Sequence, residues 1–305
     1  MKIGVTLIGL EEILKKEIKG KIVYPGRILF NKENSGASLL VYDYVKSFKF
    51  KDENEIYDKI SKLKIKKDFR VDCSRIGDHK FSSQDIREKV GEIVHNQGNK
   101  VNLKNPETLV YIDIIDDFCI IGLNPEFIGK RKYRVRINND TLNACLAYSL
   151  LKLAKFNPKK VLLDPFCSDG TLLIEAGLLK GKKIYGFSTD VKNASINSKI
   201  AKVKLNLYTE RLDWISTLLK KDSVDLIISK APYPSKRKKI EEVESIIRDL
   251  FNQALNVLNK KGLMLLISPK IEILLKYAKL YNFKVKEELK IKQGDQELTA
   301  LSFRK

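Results

Sequence analysis

Apolar residues recur along this chain with two different rhythms, and the change from one to the other divides it. Up to about residue 129 the apolar stretches are short and of mixed type. KIGVTLI (2–8) reads as a strand, LEEILKKEIK (10–19) as a helix with Leu10, Ile13, Leu14 and Ile18 on one face, and KIVYPGRILF (21–30) as a hairpin bent at Pro25-Gly26. After a polar loop at Asn31–Ala37, SLLVYDYVKSFKF mixes helical and strand periods, which leaves its type open. Residues 53–64 read as a helix and DFRVDCS (68–74) as a strand; the next helix starts on a cap at Ser82 or Ser83 and carries Ile86, Val90, Ile93 and Val94 on one face. VNLKN (101–105) and TLVYIDIIDDFCIIGLN (108–124), the latter turning at Asp116-Asp117, complete this α+β half as strands.

From residue 141 the pattern becomes regular. Helices at 141–155, 171–180, 192–203, 240–259 and 271–280 alternate with strands at 160–164, 183–187, 205–209, 223–229 and 263–268. Apolar strands alternating with amphipathic helices specify a mostly parallel sheet covered on both faces. The closing pair, 283–291 and 297–304, joined through Gly294-Asp295, adds a reversed edge.

Charge adds a partner to this picture. The 305 residues carry 58 Lys+Arg against 38 Asp+Glu, a formal net charge of +20, and such an excess favours a polyanion through counterion release. Lys-rich, Ile-rich usage also suits a hot or AT-rich genome, so the placement of the charges has to decide. GKRKYRVRINND packs Lys130, Arg131, Lys132, Arg134 and Arg136 into seven residues between the halves, which marks a basic linker. The four cysteines, Cys73, Cys119, Cys145 and Cys167, form no C-x-x-C pair and have only His79 and His95 beside them, so no zinc site or disulfide framework is expected. No apolar run approaches the roughly 20 residues that span a bilayer, and no signal-peptide core precedes Glu11 and Glu12, so a cytoplasmic protein without a membrane partner is expected.

Candidate chemistry gathers at VLLDPFCSDGTLLIEAG (161–177), a short apolar strand, a tight turn and a helix. In an open parallel sheet a ligand lies beyond the carboxyl ends of the strands. There Asp164 ends a strand, Gly170 lets the backbone approach the ligand, and the helix from Thr171 offers free N–H groups. At the end of the next strand Ser188 occupies the place of a ribose-binding acid, with Asp190 the nearest carboxylate. Asp213 in RLDW (211–214) suits an adenine amino group, a solvated loop aspartate being the alternative. A fourth strand ends in Lys230-Ala231-Pro232-Tyr233, followed by Lys236, Arg237, Lys238 and Lys239.

These residues carry a resemblance. DPFCSDGTLLIEAG is similar to DPFCGSGTxxIEA, KAPY stands in the place of [ND]PPY, RKYRVR matches a basic interdomain segment, and RIGDHKFSSQDIREKVG (75–91) with VNLKNPE (101–107) is similar to the THUMP signature. Together they resemble the THUMP-containing, S-adenosylmethionine-dependent RNA methyltransferases, in particular the archaeal tRNA guanine-N2 enzymes. The resemblance implies an N-terminal ferredoxin-like domain (1–64), a THUMP domain (65–129), a basic linker (130–140) and a Rossmann-like class I methyltransferase domain (141–305). It implies that Asp164, Phe166, Cys167, Gly170, Thr171, Ser188, Asp190 and Asp213 hold S-adenosylmethionine, and that Lys230, Ala231, Pro232 and Tyr233 form the catalytic strand end. RNA contacts fall to Arg75, His79, Lys80, Arg87, Arg131, Lys132, Arg134, Lys236 and Arg237, with tRNA as substrate, a small activator subunit as a further partner, and no metal.

The chain departs from the pattern where chemistry is concentrated. Ser168 and Asp169 replace Gly and Ser, Ser188 replaces an acid, and Lys230 replaces the Asn or Asp that accepts a hydrogen bond from an exocyclic amine. Lys has donors only. Backbone carbonyls near Ala231, or Asp169, are the substitute acceptors, and Tyr233 can stack on an extruded base. A chain that kept the fold and the RNA grip but lost the chemistry is the rival reading.

Overall fold

The computed structural model describes residues 1–31, 33–65, 68–138, 141–236 and 238–305. Two seven-stranded sheets organise it. The first contains β1 (Lys2–Val5), β2 (Lys21–Tyr24), β3 (Arg27–Phe30), β4 (Leu40–Lys49), β5 (Phe69–Ile76), β6 (Thr108–Ile115) and β7 (Phe118–Glu126), in the order β2-β3-β1-β4-β7-β6-β5. Only β5 and β6 run parallel; the other neighbours are antiparallel. The sheet is continuous across residue 64, because β4 pairs with β1 on one side and β7 on the other. Helices α1 (Glu11–Ile18), α2 (Glu53–Ser61) and α3 (Ser83–Asn96) cover it.

Several local details explain where the sequence pattern was mixed. The segment of mixed period is strand β4, whose alternation is broken twice: its register against β7 shifts between Val41 and Asp43 and again between Tyr44 and Lys46. Each shift moves later side chains to the other face. VNLKN makes only one bridge, Val101 to Phe69, and is otherwise a loop whose Asn102 side chain donates to Asp68. Strand β1 stops at Val5, and Ile8 then bridges to Lys292 near the end of the chain. A Cβ on Gly9 would stand 2.0 Å from the Lys290 carbonyl oxygen, so only glycine fits where the two halves touch. The cap of α3 is Ser82, in a full capping box with Asp85.

The second sheet contains β8 (Val161–Asp164), β9 (Lys183–Phe187), β10 (Asn206–Tyr208), β11 (Val224–Lys230), β12 (Leu258–Ser268), β13 (Lys284–Gln293) and β14 (Gln296–Arg304), in the order β10-β9-β8-β11-β12-β14-β13. The first five are parallel, and β14 and β13 form the expected reversed edge. Helices α4 (Ala144–Leu153), α5 (Thr171–Leu178), α6 (Lys192–Ile200), α7 (Ile215–Leu218), α8 (Ile240–Val257) and α9 (Glu272–Leu280) connect the strands. The sequence pattern missed α7 and the 3₁₀ turn Leu212–Trp214 before it, both too short to show a period.

Two apolar cores sandwich this sheet. One packs α8 and α9 through Val243, Ile247, Phe251 and Leu274; the other packs α4 and α5 through Leu146, Leu150, Leu172 and Leu173, and also takes in Leu10 from the N-terminal half. Strand order reverses direction between β8 and β11, so the chain leaves a crevice beyond their carboxyl ends. Among the described residues no helix is long and apolar enough to cross a membrane.

Candidate active site

A cleft of about 970 Å³ opens at that crevice. Its walls come from the turn after β8 (Phe166, Ser168), the end of β9 (Ser188, Asp190), the segment after β10 (Glu210–Asp213) and the end of β11 (Lys230–Tyr233, Lys236, Lys238). The structure therefore brings together Phe166, Ser188, Asp190, Asp213, all four residues of the Lys230–Tyr233 strand end, and Lys236. Arg237 lies outside the described residues. The sequence reading missed the fifth wall, Glu242, Ser245, Ile246 and Asp249 of α8. Their spacing puts them on one helix face, a mostly polar stripe legible as a face but silent about what it meets.

Charge is divided across the cleft. Asp190, Glu210, Asp213, Glu242 and Asp249 concentrate negative charge there in a strongly basic chain, while Lys230, Lys236 and Lys238 supply the opposite sign at the strand end and Arg211 stands among the acids. One wall suits a cation and the other a polyanion. Asp213 is exposed and lies 3.6 Å from Arg211, a pair that solvent screens. Asp190 also accepts from the Lys192 N–H at the start of α6.

Of the residues expected to hold a cofactor, Asp164, Cys167 and Thr171 border a small nook of about 10 Å³ beside the large cleft rather than the cleft itself, Gly170 lines neither, and each has a partner within the fold. The Asp164 side chain is buried, and its Oδ1 accepts from Ser229 Oγ at 2.5 Å and from the Phe166 N–H at 3.1 Å. It ties β8 to β11 and shapes the turn without lining the cleft. Burial pushes its pKa up to about 7, against the opposing hydrogen bonds from Ser229 and Phe166. Cys167 packs into the core beside Leu172 and Leu173. Thr171 is buried and donates through both N–H and hydroxyl to Asp169. Gly170 has φ +78°, and a Cβ there would come within 2.9 Å of Ala194 Cβ on α6, so close helix packing requires this glycine.

The two substituted turn residues rebuild the turn. Ser168 adopts φ 49°, a left-handed conformation that costs about 1–2 kcal/mol without glycine, and its Oγ accepts from Asn138 Nδ2 at 3.1 Å. Asp169 is fully buried. Its Oδ1 accepts from Thr141 Oγ1, Thr171 N and Thr171 Oγ1, which closes the N-terminal end of α5. So engaged, and absent from the cleft wall, Asp169 is not an acceptor for a target base.

The basic linker is wired into this turn. Arg131 Nε lies 2.9 Å from Glu175 Oε1 on α5, and its other nitrogens donate to the carbonyls of Ile128 and Gly36. Tyr133 donates to the same Glu175 at 2.6 Å. Burial alone would lower the Arg131 pKa, but the Glu175 carboxylate holds it above its ordinary value; burial and Glu175 together push the Tyr133 phenol well up. Arg134 NH2 stands 3.7 Å from Asp169 Oδ2, and Asn197 on α6 exchanges hydrogen bonds with the Arg136 backbone. Arg131 and Arg134 are thus engaged with carboxylates of the fold and are not free to meet phosphate; Lys132 is exposed.

In the N-terminal half Lys80 and Arg87 are exposed. Arg75 donates to His79 Nδ1 at 3.0 Å and to the Gly77 carbonyl; with Nδ1 accepting, His79 carries its proton on Nε2 and donates to the Asp116 carbonyl at 2.7 Å. This pair fixes the loop after β5 against the β6–β7 turn. His79 is thereby a loop-structuring residue first.

Comparison with known proteins agrees with this geometry. Residues 131–299 match the family described as RMKL-like, methyltransferase domain (UPF0020), and residues 50–124 match the THUMP domain. The chain is 27% identical over 283 residues to the tRNA (guanine(6)-N2)-methyltransferase of Methanocaldococcus jannaschii, covering 76% of this chain and 74% of that protein. It is 29% identical to the tRNA (guanine(10)-N2)-dimethyltransferase of the same organism, covering 79% and 74%. The human U6 snRNA (guanine-N(2))-methyltransferase THUMPD2 is 28% identical over 60% of this chain, which spans 37% of that longer protein. Among solved structures, TrmN from Thermus thermophilus superposes with a TM-score of 0.79 at 21% identity over 100% of this chain and 99% of that one. SMU.472, a methyltransferase complexed with SAH, gives 0.77 at 16% over 99% and 97%.

Proposed function

This chain belongs to the RMKL-like methyltransferase family (UPF0020) and carries a THUMP domain, and from that membership we propose that it transfers a methyl group from S-adenosylmethionine to a guanine exocyclic amine (N2) in tRNA. The observation that carries the reading is the cleft at the reversal of strand order, whose lining combines acidic residues with a lysine-bearing strand end.

The residues present fit such a cofactor. The cleft lies at the upper end of the range that holds small ligands, about 300–1,000 Å³, and its acid wall complements a sulfonium cation. Ser188 and Asp190 at the end of β9 hold the ribose, and Asp213 with Leu212 faces the adenine. The cofactor supplies a methyl group on a positively charged sulfur. The chain's own part is to present the acceptor nitrogen to it in line.

A guanine amine is a weak nucleophile because its lone pair is delocalised into the ring. Pro232 and Tyr233, half-buried at the cleft, flank the extruded base, and Tyr233 stacks on it. Lys230 offers donors only, so the amine N–H groups donate hydrogen bonds to backbone carbonyls of the Ala231–Tyr233 turn, which orient the nitrogen, and the surplus proton passes to water once the methyl group has moved and S-adenosylhomocysteine is left. Lys236 and Lys238 receive the phosphates that lead into the cleft, and the N-terminal half grips the folded RNA by shape. With the acceptor supplied by backbone, turnover falls below that of a site with Asn at position 230.

The test is transfer of labelled methyl from S-adenosylmethionine to unmodified tRNA, with duplex DNA as a parallel acceptor. Label on tRNA that disappears in Tyr233→Ala supports the reading. Absence of label on tRNA at millimolar cofactor favours the RNA-binding protein without chemistry.

A further inference from the structure

Asp169 and Lys230 are the two departures from the family pattern that carry full charge, and their charges are opposite. Both border one nook of about 10 Å³, which shares Phe166, Ser168 and Lys230 with the large cleft. That volume admits one water-sized group. Asp169 lines it, and Oδ2 of this residue is buried and accepts no hydrogen bond, although Oδ1 of the same carboxylate accepts three. The nearby cation, Arg134, stands 3.7 Å away, beyond hydrogen-bonding distance. A buried carboxylate oxygen left without a donor is costly. An ammonium group is water-sized, positively charged and rich in donors.

We propose that Asp169 and Lys230 form a receptor for the zwitterionic amino-acid end of the nucleoside cofactor, Asp169 taking the α-ammonium and Lys230 the α-carboxylate. The inference rests on the cofactor being S-adenosylmethionine. It gives the two substitutions one purpose, since an acid and a base placed across one nook recognise a zwitterion together. It also explains why Lys230 is tolerated beside a sulfonium: its charge is spent on the carboxylate of the same molecule.

Calorimetric titration of the full chain separates this receptor from the rest of the pocket. S-adenosylhomocysteine carries the amino-acid end, and 5′-methylthioadenosine shares the nucleoside but lacks that end. Asp169→Asn and Lys230→Ala each weaken S-adenosylhomocysteine by about tenfold or more, the value of one charge-assisted hydrogen bond, and leave methylthioadenosine within about twofold. Should Asp169→Asn disturb folding, Asp169→Ser carries the same expectation, and Lys230→Ala tests the other half independently. Unchanged affinity for S-adenosylhomocysteine in the variants overturns the receptor, as does an equal loss for both nucleosides, which marks a merely structural role. If the wild-type chain binds the two nucleosides equally, the receptor fails and the cofactor pocket stands; if it binds neither, the cofactor reading fails and takes the receptor with it.

Discussion

Two basic runs of this chain, Lys130–Arg136 and Lys236–Lys239, look alike in sequence and have different fates in the fold. In the first, Arg131 and Arg134 turn inward to Glu175 and Asp169, so the linker becomes a brace between α5, α6 and the N-terminal half. In the second, the described residues Lys236, Lys238 and Lys239 are exposed, two of them on the wall of the cleft. For Arg131 and Arg134 the difference follows the residue type, while Arg136 of the same run is exposed. Guanidinium makes several directed hydrogen bonds in a partly buried site, whereas ammonium is strongly hydrated and stays at the surface. The count of 58 Lys+Arg therefore overstates the cations offered to RNA, because some are paired inside, whereas the net charge of +20 already has such pairs cancelled.

The sharpest way to break this comparison is to remove the inward partner. Glu175→Ala leaves Arg131 and Tyr133 without their shared acceptor and costs about 3–5 kcal/mol in denaturant unfolding, the usual penalty for a broken buried pair. A cost below about 1 kcal/mol would put the linker in the same class as the exposed run.

Next in size is a pH effect from the turn that the linker braces. The folded-state pKa of Asp164 is raised from 3.8 to about 7. Its contribution to stability is thus fully present below about pH 3.8 and is lost as pH rises toward 7, at no more than about 1.4 kcal/mol per pH unit. Asp164→Asn removes that slope. Unfolding free energies of both proteins across this window check it, and parallel curves would contradict it.

Smaller effects belong to the exposed run. Lys236→Ala combined with Lys238→Ala lowers the slope of log affinity for tRNA against log salt by about 2 while leaving the unfolding midpoint unchanged. Lys132→Ala, the outward residue between two inward arginines, lowers it by about 1. A change in the midpoint rather than the slope would move these lysines into the same structural class as Arg131.

Much of the C-terminal half was legible in the chain because its central strands β8, β11 and β12 are largely apolar and its helices keep a long period. The first half was harder. The two register shifts of β4 erase its alternation, and VNLKN has strand composition but only one bridge. Within the site, spacing located the turn, the two strand ends and Tyr233, since these follow from where strands stop. It did not show which way a side chain faces. Cys167, Thr171 and Asp164 sit next to cleft residues in sequence and border the small nook while packing or hydrogen-bonding within the fold, and Arg134 turns to Asp169. Gly170 is required by its close approach to Ala194 on α6, which spacing in the sequence does not show. The α8 wall was missed because a polar helix stripe reads as solvated unless another element is known to face it.

The central claim concerns one atom, and nucleoside analysis reads it directly. Unmodified tRNA incubated with the full chain and saturating S-adenosylmethionine, then digested to nucleosides and resolved by mass spectrometry, should contain N2-methylguanosine, in larger amount with Lys230→Asn at cofactor raised to saturate that variant, and none with Tyr233→Ala. Methyl label on another base, or tRNA bound with no methylated nucleoside formed by either the wild-type chain or Lys230→Asn, would contradict the account.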